Sequence, residues 1–287
     1  MCKQITLILK TEPSLPVEAE NITPDNLSSM DATEINNLLL WYGNEQRKLS
    51  EFFTVEISEV EEVDEFEEGT PLCHTRIIIK GDLIRFKRLG EGMSSGELLI
   101  EGSVGFHTGA LMKGGTLIVR GNAGDWLGAQ MEGGKIIVQG SAGHFIGSGY
   151  RGNPQGMRGG MILINGDAGQ MVGSRMRRGV IAINGNCGDA PGYRMLAGTL
   201  LIGGVPGIRV GANMKRGTII LLKPGELLLP TFYYNCTYRC PVWGLLYREL
   251  KDQGFNLQCS NKDIYFKRYS GDGNEGGKGE ILTCHSH

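Results

Sequence analysis

The sequence predicts a mainly β protein built around a right-handed parallel β-helix of about seven coils, with short helical caps at both ends. Three observations lead to this fold: an internal repeat of 19 residues, glycine at fixed positions in each copy, and one short apolar run per copy. Glycine accounts for 45 of the 287 residues, about twice its usual share. It does not alternate with proline every third residue, so the pattern is not that of collagen.

The repeat begins six times, and five of the copies are 19 residues long. Every copy has glycine at offsets 0, 3 and 7 from its first residue, followed by a methionine and an apolar run such as "TLIVR". The third copy, which starts at Gly140, contains seven extra residues, and a degenerate copy starts earlier, at Gly81. The repeated glycines of the second and fourth copies are Gly121, Gly124, Gly128, Gly166, Gly169 and Gly173.

One repeat is too short for a pair of helices, and its β-rich run bounded by glycine is typical of a strand. Stacked coils lie about 4.7–4.9 Å apart, so equal offsets form columns along the axis. The corners of a coil need positive φ or close backbone approach, which glycine tolerates, and the recurring methionine is expected to fill the core. The sequence has no six-residue register, and aspartate does not recur at a fixed offset from copy to copy, which excludes the hexapeptide solenoid and the calcium-binding nonapeptide repeat.

The repeat divides the chain into three predicted regions. Residues 75–222 form the β-helix, residues 1–74 an N-terminal helix and strand cap, and residues 223–287 a C-terminal helical cap and tail. A capping box of Asp31 and Glu34 predicts the start of an N-terminal helix that Gly43 ends. The apolar face of this helix would contain Ile35, Leu38, Leu39 and Tyr42.

A second helix is predicted in "PVWGLLYRELKDQGF", where Leu245, Leu246 and Leu250 are near helical spacing and Gly254 is a C-terminal stop. We expect this helix to pack near the end of the stack. The segment "NLQCSNKDIYFKRYS" is compatible with strands, and the glycine-rich "SGDGNEGGKGE" after it is expected to be loose.

The charge is divided along the chain, although the net charge is only −2. Residues 1–70 carry sixteen acids and four bases, and their run "VEISEVEEVDEFEEG" predicts a solvated face or edge strand, with partner docking as the alternative. Residues 151–216 carry nine bases and two acids. Many of the bases fall at offsets 9, 11 and 12, which share one corner of a coil. The predicted basic corner contains Lys113, Arg151, Arg158, Arg175, Arg177, Arg178, Arg194, Lys215 and Arg216.

This corner has three interpretations. It is a solvated or salt-bridged surface that faces another subunit, or a track for an extended anionic partner such as a polycarboxylate chain. Nucleic acid is least favoured, because the whole chain is slightly acidic and lacks interleaved aromatic residues.

No catalytic residue is predicted. The sequence contains no G-x-S-x-G elbow, phosphate loop or H-E-x-x-H motif. His107 and His144 are expected to be structural. Asp125 and Asp189 share offset 4 but lie three coils apart, roughly 14 Å, which is too far for a paired carboxylate site.

No metal site is predicted either. Cys236 and Cys240 are not spaced like a zinc knuckle, even with Cys259, Cys284 and the late histidines. The seven scattered cysteines favour reduced thiols in a cytoplasmic protein. We find no signal peptide and no apolar run near the ~18 residues of a membrane span.

The stretch "GNAGDWLGAQMEGGKIIVQGSAGHFIGSGYRG" resembles the GXGXG solenoid domain shared by glutamate synthase, in its large subunit, and formylmethanofuran dehydrogenase, in its C subunit. The flanks "DNLSSMDATEINNLLLWYGNEQRKLSEFFTVE" and "LPTFYYNCTYRCPVWGLLYRELKDQGF" resemble the second family. The resemblance implies a non-catalytic scaffold subunit of a one-carbon complex. In the formyltransferase/hydrolase form, that complex moves a formyl group from tetrahydromethanopterin to a methanofuran-type carrier and releases formate.

The resemblance also implies the partners, namely a formyltransferase subunit and a zinc amidohydrolase-like subunit that carry the chemistry and the metal. Furan carriers have glutamate-rich tails, which makes the basic corner a candidate track for the tail. The alternatives are the C subunit of a tungsten or molybdenum formylmethanofuran dehydrogenase, a glutamate-synthase-like spacer, and an independent β-helix enzyme. Abundant Asn and Gln and a charged fraction of 21% favour the bacterial complex over a thermophilic archaeal one.

Overall fold

The computed structural model describes residues 2–60, 75–223, 225, 228–257 and 264–285, and in this part of the chain the fold is mainly β. Two sheets are present, one of thirteen strands and one of four. The strands are β1 (Cys2–Leu9), β2 (Val17–Glu18), β3 (Leu39–Tyr42), β4 (Glu45–Lys48), β5 (Phe53–Val60), β6 (Arg76–Lys80), β7 (Phe86–Lys87), β8 (Glu97–Glu101), β9 (Thr116–Val119), β10 (Lys135–Val138), β11 (Met161–Ile164), β12 (Val180–Ile183), β13 (Thr199–Ile202), β14 (Arg216–Leu221), β15 (Tyr233–Arg239), β16 (Tyr265–Gly271) and β17 (Lys278–His285). The α-helices are α1 (Pro24–Leu27), α2 (Ala32–Asn36), α3 (Leu49–Phe52) and α4 (Pro241–Asp252).

The large sheet has the order β5-β1-β6-β8-β9-β10-β11-β12-β13-β14-β17-β16-β15. Neighbours from β1 to β17 in this order are parallel, and the pairings of β5, β16 and β15 at the two margins are antiparallel. Each repeat contributes one strand, in unbroken register with the next, so that Ile136 pairs with Leu117 on one side and Ile162 on the other. The 19-residue repeat is therefore the period of the sheet, and the seven extra residues of the third copy leave the register unchanged.

A second column of parallel contacts joins the same repeats at offset 2. It consists of single-residue bridges that link each repeat to the one before and the one after it. Equal offsets therefore lie next to one another at two places in every repeat. The bridged residues are Leu83, Val104, Ala123, Ala142, Ala168, Cys187 and Pro206.

The repeated glycines meet two different demands. At offsets 0 and 3 there is no room for a side chain: a Cβ on Gly121 would lie 2.5 Å from Ser103 Oγ and 2.6 Å from its main-chain nitrogen, in the preceding repeat. At offset 7 the demand is conformational, since Gly128 has φ +59°, a region that glycine occupies without strain. Close approach applies also to Gly124, Gly166 and Gly169, and positive φ to Gly173.

Polar side chains connect successive repeats at offsets 1 and 4. Asn122 Oδ1 accepts a hydrogen bond from the amide of Ser141 at 2.8 Å, one repeat later at the same offset. Asp125 Oδ1 likewise accepts from the amide of His144 at 2.8 Å. These carboxylates and amides are thus structural acceptors. The other acceptors of the same kind are Asp82, Ser103, Ser141, His144, Asp167, Asn186 and Asp189.

The core lies on the inward face of the repeats. Alternate strand residues such as Ile181 and Ile183 point into it, together with a methionine from each repeat that is completely inaccessible to solvent. Methionine adapts to irregular space, which suits a column that must pack from one repeat to the next. The six methionines are Met112, Met131, Met157, Met176, Met195 and Met214.

The sequence led us to expect the C-terminal helix near the end of the stack. In the structure α4 packs instead against the outer face of the large sheet. Trp243 and Leu250 of α4 form a second apolar cluster with the outward-facing Ala182 and Leu201. The physical reason is that β11 to β14 are apolar on both faces, so their outer face needs a cover.

The N-terminal helix is also shorter than predicted. Asp31 and Glu34 do form the capping box, but α2 ends at Asn36, and residues 39–42 pair with β4 as strand β3. In this segment Leu40 is buried while Leu39 and Trp41 are exposed, an alternation with the period of a strand. Gly43, with φ +63°, forms the hairpin turn rather than a helix stop.

The glycine-rich C-terminal segment is ordered, not loose. A 3₁₀ turn, Gly273–Glu275, is capped by Asp272, and β17 then joins β14 in parallel. Of the acidic run, β5 lies at the margin of the sheet with Glu56 and Glu59 exposed, as an edge strand should. Residues 61–69 of that run, with Cys259 and His287, lie outside the described residues.

Alanine should have opposite effects at a repeat glycine and at a glycine inside a helix. Gly128→Ala forces a side chain into positive φ and places Cβ 2.6 Å from Ile162 Cδ1, which should lower the free energy of unfolding by about 1–3 kcal/mol. Gly244→Ala, inside α4 with open space around its Cβ position, should raise it by about 0.5–1 kcal/mol. Urea unfolding of the purified variants measures both; equal stability of Gly128→Ala and wild type would contradict the assigned role.

Candidate functional site

A pocket of about 440 Å³ lies where the predicted basic corner meets the insertion, the seven extra residues 149–155 of the third repeat. Arg175, Arg194 and Lys215 line it from three successive repeats, and Glu275 lines it from the C-terminal turn. We call it the basic pocket. The insertion supplies Gly152, Asn153, Pro154 and Gln155, and the lining is completed by Leu196 and Asn213.

Repeat stacking brings the two arginines together. Both occupy offset 9, where the backbone has positive φ, +58° at Arg175 and +53° at Arg194. Each amide donates to the next repeat, Arg175 to Tyr193 O and Arg194 to Ala212 O, both at 2.9 Å. The two guanidinium groups therefore project from the same corner, one repeat apart.

The three bases have different partners. Arg175 Nη1 donates to the carbonyl of Asn153 at 2.8 Å and so fastens the insertion. The guanidinium of Arg194 lies over the ring of Tyr193, 5.3 Å from its centroid. Lys215 Nζ is 3.9 Å from the Glu275 carboxylate, but its side chain is 61% exposed. The pocket thus presents cationic groups that are neither buried nor fully neutralised.

The remaining predicted bases do not form a continuous track. The main-chain amides at offset 11 donate hydrogen bonds to carbonyls of the preceding repeat, so the residues at this offset form one column. Glu132 and Leu196 belong to this column and interrupt its positive charge. Arg158 forms an ion pair with Glu132. Arg178 and Arg216 at offset 12 are separated by Ala197. Exposed on the surface outside the pocket are Lys113, Arg151, Arg158, Arg177, Arg178 and Arg216.

Beside the insertion lies an aromatic ladder that the sequence analysis missed. It is formed by His107, Trp126 and Phe145, which share offset 5 in three successive repeats. The rings of Trp126 and Phe145 stack with centroids 4.5 Å apart and an angle of 12°, and His107 stacks on Trp126 at 6.3 Å. The available signal was three aromatic rings at one offset, which the stacking of equal offsets turns into neighbours.

Tyr150 of the insertion covers this ladder. Its ring lies 5.1 Å from that of Trp126, and its hydroxyl is 2.9 Å from Nδ1 of His107. Burial lowers the pKa of His107, and the nearby Arg88 guanidinium lowers it further. Burial also raises the pKa of Tyr150 to about 12. Both groups are therefore neutral near pH 7, and the hydrogen bond between them involves no charge.

The insertion is thus held at two points. Tyr150 fixes it to the aromatic ladder, and Arg175 fixes it through the Asn153 carbonyl. Residues 152–155 of the insertion form one wall of the basic pocket, so both attachments hold that wall in place. This arrangement can bind an anion by its charge.

Among the described residues, no group of three or more His, Cys, Asp or Glu side chains could hold a metal ion. Cys236 is exposed and Cys240 partly buried, and the thiol of Cys187 is buried, which raises its pKa to about 12. His144 is a structural acceptor, its Nδ1 2.9 Å from the amide of Gln170. No helix in the described ranges is long and apolar enough to cross a bilayer.

His107 predicts a pH dependence of stability. Its folded pKa lies below the value of about 6.5 in an unfolded chain, so on acidification the unfolded state takes up the proton first. The free energy of unfolding should therefore fall as the pH decreases from 7 through the folded pKa of His107. His107→Asn should flatten this dependence in urea titrations at pH 7, 6 and 5; an unchanged slope in His107→Asn would refute the assignment.

Comparison with known proteins adds to this geometry. The profile of the GXGXG motif family matches residues 85–229. The chain is 39% identical to the C subunit of tungsten-containing formylmethanofuran dehydrogenase 2 from Methanothermobacter marburgensis. This match extends over 107 residues, which are 37% of this chain and 36% of that protein. Over 104 residues the chain is 40% identical to the C subunit of molybdenum-containing formylmethanofuran dehydrogenase 1 from Methanosarcina barkeri, 36% of this chain and 32% of that protein. The matches thus span about a third of these relatives' length.

A solved structure is similar over nearly the whole chain. It is a chain of the formyltransferase/hydrolase complex (FhcABCD) from Methylorubrum extorquens, crystallised with methylofuran. The TM-score is 0.84 at 32% sequence identity, and the match covers 98% of this chain and 100% of that one. A family profile that spans half of the sequence, together with this shared fold, shows that the protein belongs to the GXGXG family, among the homologues of the formylmethanofuran dehydrogenase C subunits.

Proposed function

We propose that this chain is a subunit of a formylmethanofuran-related enzyme complex, and specifically the non-catalytic scaffold of a cytoplasmic formyltransferase/hydrolase complex. The observation that carries the proposal is the similarity, end to end, to a chain of FhcABCD. In such a complex a formyl group passes from tetrahydromethanopterin to a furan carrier and leaves as formate. A formyltransferase subunit and a zinc amidohydrolase-like subunit would supply the two reactions.

The scaffold role is supported by how this chain uses its polar groups. The carboxylates and amides of the repeats, Asp125 and Asn122 among them, accept hydrogen bonds from main-chain amides of the next repeat. These side chains therefore have a structural role, because each one ties two successive repeats together. This use of the polar groups disfavours an independent β-helix enzyme.

The same proposal includes the shape of the scaffold. Residues 75–222 would form a right-handed parallel β-helix of about seven coils, one per repeat. The parallel sheet and the offset-2 bridges support it, since both contacts recur once per repeat. Residues 1–74 and 223–287 would be the flanking regions that cover the ends and the outer face.

A second candidate function is that of the C subunit in a tungsten or molybdenum formylmethanofuran dehydrogenase. The 39% and 40% identities to the archaeal C subunits favour it. Those matches span only about a third of this chain, whereas the match to the FhcABCD chain spans 98% of it.

A native purification distinguishes these functions. The tagged full chain is isolated from the cells that make it, and its companions are identified by mass spectrometry and metal analysis. We expect formyltransferase and amidohydrolase-like subunits with zinc. Tungsten or molybdenum with iron–sulfur subunits would establish the dehydrogenase instead, and a chain that emerges alone would contradict both.

Within the complex, we propose that the basic pocket and the exposed bases around it guide the glutamate tail of the furan carrier. Arg175, Arg194 and Lys215 support this role because they converge on one pocket from three repeats. An extended polyanion could contact these three groups in succession within the pocket.

Neutralising the pocket should weaken the binding of a synthetic oligoglutamate to the purified chain. An exposed ion contact contributes about 0.2–1 kcal/mol, so Arg194→Gln and Lys215→Gln should each weaken binding by up to about fivefold. Arg120→Gln is the matched control, since Arg120 is exposed and pairs with Glu101 at 3.5 Å outside the basic corner. Fluorescence titrations at two salt concentrations measure the effect. Equal losses in all three variants, or none, would contradict a tail site at the pocket.

A further inference from the structure

A second pocket, of about 580 Å³, lies between α4 and the outward face of the large sheet. We call it the α4 pocket. Its floor is a row of four side chains at one register of four adjacent strands, Val180, Thr199, Thr218 and Glu280. These residues alternate with the inward-facing core, so they share the outer face that α4 covers.

The walls of the α4 pocket are apolar. Trp243 and Leu246 of α4 face Ile220 and Leu282 of the sheet, and Trp243, Ile220 and Leu282 are all buried. The helix covers only part of the outer face, which leaves the pocket open beside it. Its volume lies within the roughly 300–1,000 Å³ of binding pockets in proteins.

The rim of the pocket is apolar as well. Val242 and Leu245, three residues apart on α4, are 65% and 66% exposed and line the opening. Single exposed apolar residues are ordinary, but two of them beside an apolar pocket resemble the surroundings of an interface anchor site. A small molecule inside the pocket would leave both in water, whereas a polypeptide lying across the opening would bury them.

The polar groups around the opening are mostly acidic. Two of them, Glu249 and Asp252, lie on α4 after the apolar rim residues. One base, Arg248, lies in the sequence between Leu245 and Glu249. Glu280 on the floor accepts a hydrogen bond from Thr218 Oγ1 at 2.7 Å and pairs with Arg268 Nε at 2.8 Å. The floor carboxylate is thus already paired with a cation, whereas Glu249 on the rim accepts a hydrogen bond from the neutral Gln253 Nε2 at 3.3 Å and keeps its charge for a partner's cation.

We propose that the α4 pocket docks a short segment of a companion subunit. An apolar side chain of that segment enters the pocket against Trp243, its neighbours cover Val242 and Leu245, and a lysine or arginine beside it faces Glu249 and Asp252. The surface is chemically opposite to the basic pocket, so the two would take different partners. This inference rests on the proposed function only in requiring a companion subunit.

The test uses the tagged full chain purified with its companions, each quantified by mass spectrometry. Leu245→Arg places a charge on the rim, and Thr199→Trp fills the pocket from its floor. Each should lower the recovery of one and the same companion at least fivefold. Glu249→Lys should also lower the recovery of this companion, and the loss should be larger at low salt than at high salt. Ile84→Arg is the matched control, since Ile84 is 58% exposed and lies far from α4 in the sequence.

Thermal unfolding of the isolated variants checks that each one folds. Wild-type recovery of every companion by folded Leu245→Arg and Thr199→Trp chains would overturn the α4 pocket as a docking site while leaving the proposed function intact. A wild-type chain that brings no companion would overturn both. A small molecule held by the isolated chain in native mass spectrometry, and lost in Thr199→Trp with all companions retained, would assign the pocket to a ligand and also overturn the proposal.

Discussion

The close approach of successive repeats is the constraint on which the rest of the structure depends. At offsets 0 and 3 a Cβ would lie within 3 Å of the preceding repeat, as at Gly121 and Gly169. Backbones at this distance can pair in parallel at two columns per repeat, and their amides donate hydrogen bonds to side chains of the preceding repeat such as Asn122. Because equal offsets are then neighbours, residues of one type that recur at the same offset form a continuous column along the repeats.

The basic pocket lies where this regularity is interrupted. The third copy, which contains the insertion, is the one irregular repeat among the six. Its insertion contacts the aromatic ladder through Tyr150 and the basic pocket through Arg175. Without the insertion, the arginines at offset 9 would form an exposed corner with no wall. Their convergence on a pocket therefore comes from seven residues that break the period, supported by rings that obey it.

The sequence predicted what local periodicity determines and missed what distant packing determines. Strand positions, the buried methionines and the capping box of Asp31 and Glu34 follow from short-range patterns. The helical spacing of apolar residues extended the predicted N-terminal helix to Gly43. In the structure Leu40 of this segment is buried in a hairpin, and that burial depends on contacts far along the chain. The packing of α4 on the outer face was likewise not predicted, because it depends on a sheet that is apolar on both faces. The aromatic ladder could have been predicted from three rings at one offset, but its partner Tyr150 lies in the insertion, outside the regular repeat.

A repeat that uses its own polar groups for stacking can hold several surfaces of different character at fixed separations. Here a cationic pocket forms at one corner, while an apolar pocket with acidic groups forms under α4 on the outer face of the sheet. The two are held by the same strands, since the repeats that contribute Arg175 and Arg194 also contribute Val180 and Thr199. Partners bound at both surfaces would be positioned relative to each other by a stiff, hydrogen-bonded sheet. Such fixed separation is what a complex requires if a carrier must travel between two reaction sites on different subunits.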